Sequence, residues 1–570
     1  MPLNKTPKPG FALVLHTHIP WVLGKGNWPH GAVWLYEAAA ETYIPLLDTL
    51  SRLTAEGVRA GVTIGVTPIL AEQLTHSNFA PGFREYLRMK IAAARDDQRA
   101  FQKEGEVHFC DLAKWWDDFY CELERSFCDN YQQNLINGFR RLQDQGAIEI
   151  ITSCATHGYL PLLGEDAAIG AQVKTGVEVY RRYFGRDPIG FWLPECAYRP
   201  SYAWVSPTDP SQPPVVREGV ERFLSQAGIR YFIIDTALLK GGKPQGVYLA
   251  RFEGLRKLWE QFEAGSIQRP ERSDLSPYQV YAIGSEADQP VAVLTRDPQT
   301  GLQVWSGRHG YPGDGNYLEF HKKRFPGGHR YWRITRSDAD IGDKEAYFPE
   351  AVDARLEENA THFVQLLEDI LISPTDTPSA PVLGAPYDTE LFGHWWFEGV
   401  RWLEKVWRKL ADNPKVRPVT GSEALERAGE IPRISLPEGS WGEGGFHQIW
   451  FNPDTEWCWH LIHRAEKMMV ERSRLGAEDQ RGLVRELLAA LGRELLLLEA
   501  SDWPFVISTG SAPDYAEQRL REHYDVFMQI ADIFDRAAAG QSLTPEDWES
   551  FRRIQDNADI FPSVGGELWK

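Results

Sequence analysis

Residues 190–200 read GFWLPECAYRP, and this stretch decides the fold that we predict for the chain. The apolar run 189–193 is too short for a helix and is typical of a buried strand. Pro194 cannot continue a central strand ladder, so the strand ends there and Glu195 follows at once. α/β enzymes hold their reactive groups at the carboxyl ends of parallel strands. We therefore predict Glu195 as a catalytic carboxylate; the structural alternative is a helix cap or the partner of an arginine.

A second strand ends in the same way. The apolar residues 380–385 predict a strand, and Pro386 and Asp388 follow it. Two carboxylates at two strand ends of one sheet can face each other across a cleft, which is the arrangement that glycosidic bond chemistry requires. Glu390, two residues further on, competes with Asp388 for this role. The aromatic residues around both strands favour a ring-shaped ligand such as a sugar.

Histidines follow two other predicted strands. The strand 11–15 leads into His16 and His18, which lie two residues apart and therefore point to the same face. The strand 148–152 is followed by His157. These side chains are candidates for metal ligands, for donors to a substrate, or for purely structural contacts.

The composition excludes some partners. The 570 residues carry a net charge of −19, so the surface repels nucleic acids and anionic membranes but tolerates a neutral polymer. The chain contains 21 tryptophans, which are explained by stacking surfaces for sugars, by a tryptophan-rich core, or by both. The sequence is otherwise ordinary for a globular protein, with 43% hydrophobic and 25% charged residues.

The cysteines and the apolar runs predict the compartment. The six cysteines show no C-x-x-C spacing, so we expect free thiols in a reducing cytosol. The apolar run before His16 is too short for a signal peptide, and no stretch is long enough to span a membrane. We therefore expect a cytoplasmic protein that binds neither nucleic acid nor membrane.

The periodicity predicts an α/β chain in two domains. Strands are expected at 61–66, 231–234, 291–294, 302–304 and 416–418, in addition to those above. The segment at about 71–146 has long helical periodicity and is interpreted as an insertion, and Pro45 is expected to kink or split the helix 34–53. Beyond residue 431 a glycine-rich loop at 439–450 is predicted, and helical periodicity follows from about residue 455. We predict a catalytic domain at 1–430 and an all-helical domain at 431–570.

Five segments make the chain resemble a known family. They are HTHIP (16–20), ATHGYLPLLG (155–164), GFWLPECAYRP (190–200), APYDTELFGHWWFEG (385–399) and LLLEASDWPF (496–505). In this order they resemble glycoside hydrolase family 57 and, within it, the 1,4-α-glucan (glycogen) branching enzymes. The resemblance implies an incomplete (β/α)7 barrel with a helical insertion and an all-helical C-terminal domain.

The resemblance also implies roles for individual residues. It makes Glu195 the nucleophile and Asp388 the general acid/base, with Glu390 as a neighbour rather than the catalyst. Residues that match glucan-binding positions of the family are Arg296, Gly313, Trp441 and Asp502. Others that match the lining of its cleft are His16, His18, His157, Trp34, Trp305 and Trp450. Tyr248 matches the tyrosine of a mobile loop near the active site.

The expected activity is a retaining transfer between glucans. An α-1,4 bond of amylose, amylopectin or glycogen would be cleaved, and the chain would be moved to a 6-OH to form an α-1,6 branch. The alternatives within the family are α-amylase and 4-α-glucanotransferase. More remote alternatives are a metal-dependent carbohydrate hydrolase or deacetylase that uses the histidines, and a non-catalytic glucan-binding protein. No metal or cofactor is expected, and the chain is expected to be a monomer, with a homodimer as the alternative.

Overall fold

The computed structural model describes residues 8–26, 30–241, 274–284, 289–307, 310–336, 338–372, 380–476, 481–557 and 559–570. The chain folds into two compact units, each assembled from three segments. The first unit contains residues 1–64, 73–150 and 296–429, and the second contains residues 65–72, 151–295 and 430–570. The last segment of the first unit ends at residue 429 and the last segment of the second unit begins at residue 430, next to the predicted domain boundary. The two predicted domains themselves remain a prediction.

The strands of the described residues are numbered along the chain. They are β1 (Gly10–Thr17), β2 (Val62–Val66), β3 (Ile148–Ser153), β4 (Gly190–Trp192), β5 (Tyr202–Trp204), β6 (Val215–Arg217), β7 (Tyr231–Ile234), β8 (Tyr281–Ile283), β9 (Val291–Thr295), β10 (Val382–Asp388) and β11 (Arg417–Pro418). β2 and β3 each contribute residues to both units.

The strands of the first unit are ordered β10-β1-β2-β3, with β11 beside β1. β1 pairs in parallel with β10, and every residue of β1 is buried. Such a continuous apolar run is typical of a strand that is covered on both faces. Because parallel strands end at the same edge, the residues that follow β1 and β10 come together there.

The strands of the second unit are ordered β3-β4-β7-β9-β8. β3, β4, β7 and β9 are parallel to their neighbours, whereas β8 is antiparallel to β9. β4 is only three residues long and fully buried, because Pro194 ends the ladder as expected. A separate hairpin pairs β5 with β6.

Helices account for most of the remaining described chain. They are α1 (Ala32–Ala38), α2 (Ile44–Ala55), α3 (Pro68–Thr75), α4 (Phe79–Glu104), α5 (Val107–Arg125), α6 (Leu135–Asp144), α7 (Asp166–Phe184), α8 (Val220–Gln226), α9 (Thr236–Lys240), α10 (Pro298–Trp305), α11 (Pro349–Leu371), α12 (Gly399–Ala411), α13 (Gly421–Arg427), α14 (Glu456–Gly476), α15 (Gly482–Leu498), α16 (Asp502–Thr509), α17 (Pro513–Ala538) and α18 (Pro545–Asn557). Helices α4 to α6 occupy the predicted insertion, and α14 to α18 occupy the predicted C-terminal helical region.

Three local predictions change. The strand predicted to end before Pro386 continues through it, since β10 pairs with β1 as far as Asp388. The strand predicted at 302–304 is wrong, since these residues lie in α10, whose N-terminus is capped by the Asp297 side chain. The expected kink near Pro45 is replaced by a π-helix at Ala39–Tyr43, which joins α1 to α2 and leaves Pro45 in the first turn of α2. A proline is tolerated there because the first-turn N–H groups have no helical acceptor.

The described helices also bear on the membrane question. None of them combines the length and the apolar character that crossing a bilayer requires. The six cysteines all lie in the described part of the chain and are free thiols.

Candidate active site

Glu195 lies in the second unit, directly after β4, in a strained backbone conformation. Its φ and ψ are 60° and 22°, and Cys196 also has a positive φ of 48°. A residue with a side chain occupies this left-handed region at a cost of about 1–3 kcal/mol, and such residues cluster at functional sites. Glu195 is one of seven non-glycine residues with a positive φ in the described chain, and the strain supports a functional role for it independently of its chemistry.

A second segment holds this turn in place. Tyr198 and Gly439 exchange both backbone hydrogen bonds, at 2.9 and 3.0 Å. Two residues further on, the Trp441 N–H donates to the Glu195 carbonyl oxygen at 3.1 Å. These bonds to the 439–441 segment stabilise a conformation that the local sequence alone disfavours.

The Glu195 carboxylate is also held by its side-chain neighbours. The Trp441 indole Nε1–H donates to Oε2 at 2.8 Å, and the Trp441 ring meets Trp192 edge-on at 5.2 Å between centroids. His157 Nδ1 lies 3.8 Å from Oε1. One carboxylate oxygen is thus fixed by an aromatic donor, and the other faces an imidazole.

His157 is fixed by the segment before α16. It is buried, has a positive φ of 61°, and its Nδ1 lies 2.9 Å from Ser501 Oγ. The Ser501 N–H donates to the His157 carbonyl at 3.1 Å. Asp502 follows as the first residue of α16 and is partly exposed.

Trp450 occupies a different environment from Trp441. Its side chain is 1% exposed and stacks on Tyr159, with 4.5 Å between ring centroids. The Tyr159 hydroxyl lies 2.9 Å from His447 Nδ1, and His447 Nε2 lies 2.7 Å from Glu438. Burial raises the pKa of the Tyr159 phenol, and the charge of Glu195 adds to this, so the phenol stays protonated.

The first unit places Asp388 beside the two neighbouring histidines. Asp388 ends β10 opposite His16 in the β1 register, and the rings of His16 and His18 are stacked 6.0 Å apart. His16 is 2% exposed, and burial followed by the charge of His18 holds its pKa well below the usual range. A neutral imidazole therefore lies next to the acid.

Glu390 is buried in the turn after β10. Its Oε1 accepts hydrogen bonds from the Tyr43 hydroxyl and from the His18 backbone N–H, the latter at 3.1 Å. Burial, followed by the charge of Asp388, raises the pKa of Glu390 to about 8. Asp388 and Glu390 thus have different environments, although they are two residues apart.

The other predicted residues of the first unit lie in separate elements. Arg296 forms a parallel bridge with Gly384 of β10, and Trp305 is the last residue of α10. Gly313 packs against the Gly307 backbone so closely that a Cβ would collide with it. Trp34 lies in α1 with its ring 5.2 Å from that of His30. Tyr248 lies outside the described residues.

Comparison with known proteins assigns the chain to a family. The model of glycosyl hydrolase family 57 matches residues 12–437, and that of the 1,4-alpha-glucan branching enzyme C-terminal domain matches residues 461–569. The chain belongs to glycosyl hydrolase family 57. The resemblance carried by the five segments is confirmed.

Members of family 57 are similar to this chain over nearly its whole length. The 1,4-alpha-glucan branching enzyme TK1436 of Thermococcus kodakarensis is 43% identical over 91% of this chain and 73% of the relative. Its crystal structure with glucose and additives has a TM-score of 0.87 at 39% identity, covering 99% of this chain and 96% of that one. The α-amylase AmyC of Thermotoga maritima has a TM-score of 0.78 at 26% identity, covering 99% of both chains.

These family 57 neighbours confirm the predicted fold class. The sheet of mostly parallel strands, the many helices and the C-terminal helical region agree with an incomplete (β/α)7 barrel plus a helical domain. The roles of the individual site residues stay predictions.

The predictions from the sequence did not include three residues that support Glu195 and its neighbours. They are Ser501, Tyr159 and His447. Ser501 and Tyr159 both lie inside the quoted segments but carry no distinctive signal, because serine and tyrosine are common in any loop. Their roles follow from contacts that join residues 288 and 344 positions apart.

The Trp441 donor can be tested separately from its ring. Trp441→Phe keeps an aromatic ring but removes the N–H that Glu195 accepts. Hydrogen bonds to charged groups contribute about 1.5–3 kcal/mol, so kcat on amylose is expected to fall about 10- to 100-fold. Trp457→Phe, which removes an indole N–H that donates to the Asp454 carbonyl at 3.0 Å, is the matched control and should keep the parent rate. Equal rates for both variants would contradict the role of the bond.

Proposed function

We propose that this chain is a 1,4-α-glucan branching enzyme. It cleaves an α-1,4 bond of a linear glucan by retaining double displacement and transfers the chain to a glucose 6-OH. The observation that carries the proposal is the match to the branching-enzyme C-terminal domain at residues 461–569, behind a family 57 match at 12–437. The enzyme is a transferase, since the acceptor of the cleaved chain is a sugar rather than water.

Glu195 is the proposed nucleophile. It has to be ionised to attack C1 of the glucose on the donor side, and a covalent glucosyl–enzyme intermediate forms. The hydrogen bond from Trp441 favours the ionised form and fixes the direction of one carboxylate oxygen. The strained turn supports this role because it presents the side chain at the end of a rigid strand.

Asp388 is the proposed general acid and base. It gives a proton to the departing O4 in the first step and takes one from the acceptor 6-OH in the second. In a retaining enzyme the two carboxyl groups lie roughly 5–5.5 Å apart, and two acids at that distance do not both ionise. The proton therefore starts on Asp388 while Glu195 is the carboxylate.

The remaining predicted residues are proposed to bind the glucan chains. They are Arg296, Gly313, Trp441, Asp502, His16, His18, His157, Trp34, Trp305 and Trp450. The rings of Trp34, Trp305 and Trp441 hold pyranose faces, whereas Trp450 is 1% exposed and stacks on Tyr159. The charged groups and the histidines bond hydroxyls. By holding an acceptor chain they would also exclude water, which decides between transfer and hydrolysis.

The setting of the reaction is part of the proposal. The substrates are amylose, amylopectin and glycogen, and the reaction serves glycogen biosynthesis in the cytoplasm. The negative net charge supports a neutral polymer as the partner.

The decisive experiment follows both products of the same reaction. The purified chain is incubated with amylose, with and without EDTA, and proton NMR records α-1,6 linkages while reducing ends are assayed. A branching enzyme produces new α-1,6 signal with few new reducing ends, and EDTA changes neither. Reducing ends without branches would make the chain an α-amylase, and loss of activity in EDTA would favour a metal-dependent hydrolase.

A Tyr248 variant tests whether this residue helps to keep water from replacing the acceptor chain. Replacing it with alanine is expected to raise the ratio of hydrolysis to branching several-fold, because an acceptor held less firmly competes less well with water. The measurement is the ratio of new reducing ends to new α-1,6 linkages. Tyr278→Ala serves as the control, because it changes a tyrosine in the loop that precedes β8. An unchanged ratio in Tyr248→Ala would remove this residue from the proposal.

A further inference from the structure

Trp395 is a large apolar side chain that the proposed reaction does not use and that the fold leaves in water. It is 55% exposed, whereas the adjacent Trp396 is 2% exposed. Both residues follow β10, which ends at Asp388. A single exposed apolar residue is ordinary, but a contiguous exposed apolar surface is typical of a place that a ligand covers. Trp395 belongs to such a surface.

Three rings from two segments form this surface, which we call the aromatic platform: Phe320, His394 and Trp395. The rings of Phe320 and Trp395 are stacked, with 4.5 Å between their centroids and 29° between their planes. The His394 ring meets both of them nearly edge-on, at 5.5 Å from Phe320 and 5.4 Å from Trp395. Phe320 and His394 are partly exposed, so the platform presents aromatic rings to solvent on the first unit.

The segment beneath the platform is fixed by the elements around it. The Trp395 N–H donates to the Glu390 carbonyl at 3.1 Å, which closes the turn after β10. The His394 N–H donates to Thr42 Oγ1 at 3.1 Å, and His394 Nδ1 lies 3.4 Å from Glu41 Oε2. Because these contacts hold the segment before a ligand arrives, binding does not have to order it.

Polar side chains of both charges lie beside the platform. Lys323 Nζ is 5.2 Å from the centre of the Phe320 ring and 3.8 Å from Glu37 Oε1. The side chain of His321, directly after Phe320, is 71% exposed, and its Nδ1 lies 3.0 Å from Glu319 Oε1. The aromatic rings are therefore bordered by groups that can donate hydrogen bonds to hydroxyls and accept them.

These features favour a sugar as the ligand. Aromatic rings offer an apolar area to the C–H face of a pyranose, and a few polar groups at the edge fix its orientation. The charges of Lys323 and Glu37 balance each other, which favours a neutral ligand. The net charge of −19 repels nucleic acids, whose bases could also stack on such rings. The proposed substrate, an α-glucan chain, is a ligand of this kind.

The platform is connected to a residue already proposed to bind glucan. Trp34 and Glu37 lie three residues apart in α1 and therefore share one face of that helix. Glu37 contacts Lys323, and Lys323 lies over the ring of Phe320. A chain of several glucose units that binds at Trp34 is thus led toward Phe320 and Trp395.

We propose that Phe320, His394 and Trp395 form an outer binding platform for a long α-glucan chain. Glucose units of the chain stack on the rings of Phe320 and Trp395, and the imidazole of His394 bonds a hydroxyl at their edge. The platform increases the affinity for long chains and takes no part in bond cleavage. This inference rests on the proposed function for the identity of the ligand.

The first test measures binding in the absence of turnover. Glu195→Gln serves as the inactive background, and titration calorimetry records its affinity for maltoheptaose. Adding Trp395→Ala should weaken this binding about 10-fold, because a ring that stacks on a ligand contributes an effect of that size. Equal affinity with and without Trp395→Ala would overturn the inference.

A matched control and a second variant accompany this measurement. Trp548 is another exposed tryptophan, at 36%, but it lies in α18 of the other unit, and Trp548→Ala should leave the affinity unchanged. Phe320→Ala removes the other stacked ring and should weaken binding in the same way as Trp395→Ala. Thermal unfolding of both platform variants should stay close to that of the parent, since both rings are already in contact with water.

The second test separates chain binding from a structural role. Trp395→Ala is expected to raise KM for amylose about 10-fold with little change in kcat, since the lost contact holds the chain and not the reacting bond. The kcat/KM for α-glucosyl fluoride should keep the parent value, because this single glucose reacts beside Glu195 and does not extend to the platform. Trp395→Phe keeps an aromatic ring and should restore most of the affinity. Parallel losses on both substrates would overturn the inference.

The two proposals fail in different ways. If Trp395→Ala weakens maltoheptaose binding but the parent chain forms no α-1,6 linkages from amylose, the proposed function fails and the platform stands as a glucan-binding surface. If α-1,6 linkages form but Trp395→Ala matches the parent in affinity and in KM, the platform is overturned and the proposed function stands.

Discussion

Replacing Glu195 with glutamine is expected to lower cleavage of amylose by at least about 10⁴-fold, because the amide cannot form the glucosyl–enzyme bond. The substitution nearly conserves shape and keeps an oxygen that can accept the Trp441 N–H. The fold should therefore survive, and thermal unfolding of the variant should match that of the parent. The rate is measured from α-1,4 cleavage and from new α-1,6 linkages together, and both should be lost.

The stereochemistry of chemical rescue identifies the nucleophile directly. In Glu195→Ala, azide can occupy the space of the lost carboxylate and attack α-glucosyl fluoride from the opposite face, which gives the β-glucosyl azide. In a retaining enzyme that lacks its acid/base instead, azide attacks the glucosyl–enzyme and gives the α-product. A β-azide from Glu195→Ala is therefore the expected result.

The control for Glu195 comes from the neighbouring loop. Glu443 is an exposed acid two residues after Trp441, and Glu443→Gln should keep the parent rate. An α-azide from Glu195→Ala, or wild-type turnover in Glu195→Gln, would contradict the assignment of the nucleophile. It would leave the family assignment of the chain unchanged.

Replacing Asp388 with asparagine has the second largest expected effect. General acid–base catalysis contributes about 10²- to 10⁴-fold, so turnover of amylose should fall within that range. The loss should be smaller for the first step with α-glucosyl fluoride, because fluoride leaves without a proton. Comparing the two substrates in one variant separates the acid role from a general loss of structure.

The position of Asp388 at the end of β10, opposite His16 in the register, predicts that its replacement leaves the strand intact. Thermal unfolding of Asp388→Asn should stay close to that of the parent. Asp412→Asn, an exposed acid just after α12, is the matched control and should keep both activities. Equal losses on amylose and on the fluoride would argue against Asp388 as the acid.

Those features of the candidate site that depend on residues close together in the chain could be predicted from the sequence. Short apolar runs interrupted by proline placed Glu195 after its strand and Asp388 at a strand end, although β10 continues through Pro386 as far as Asp388. Alternation placed His16 and His18 on one face. These signals work because strand length, proline and side-chain alternation depend on residues that are close in the chain. The same reasoning failed at 302–304, where an apolar triplet lies within α10 because the Asp297 cap begins a helix before it.

The sequence by itself determined the fold class, the two strand-end carboxylates and the family. Only the tertiary structure decided that the Trp441 indole bonds Glu195, that Glu195 sits at a positive φ, and that Glu390 is buried against Tyr43. These features join residues 246 and 347 positions apart. They depend on which loops pack together and on how much water that packing excludes, and neither quantity is encoded in a local pattern of residues.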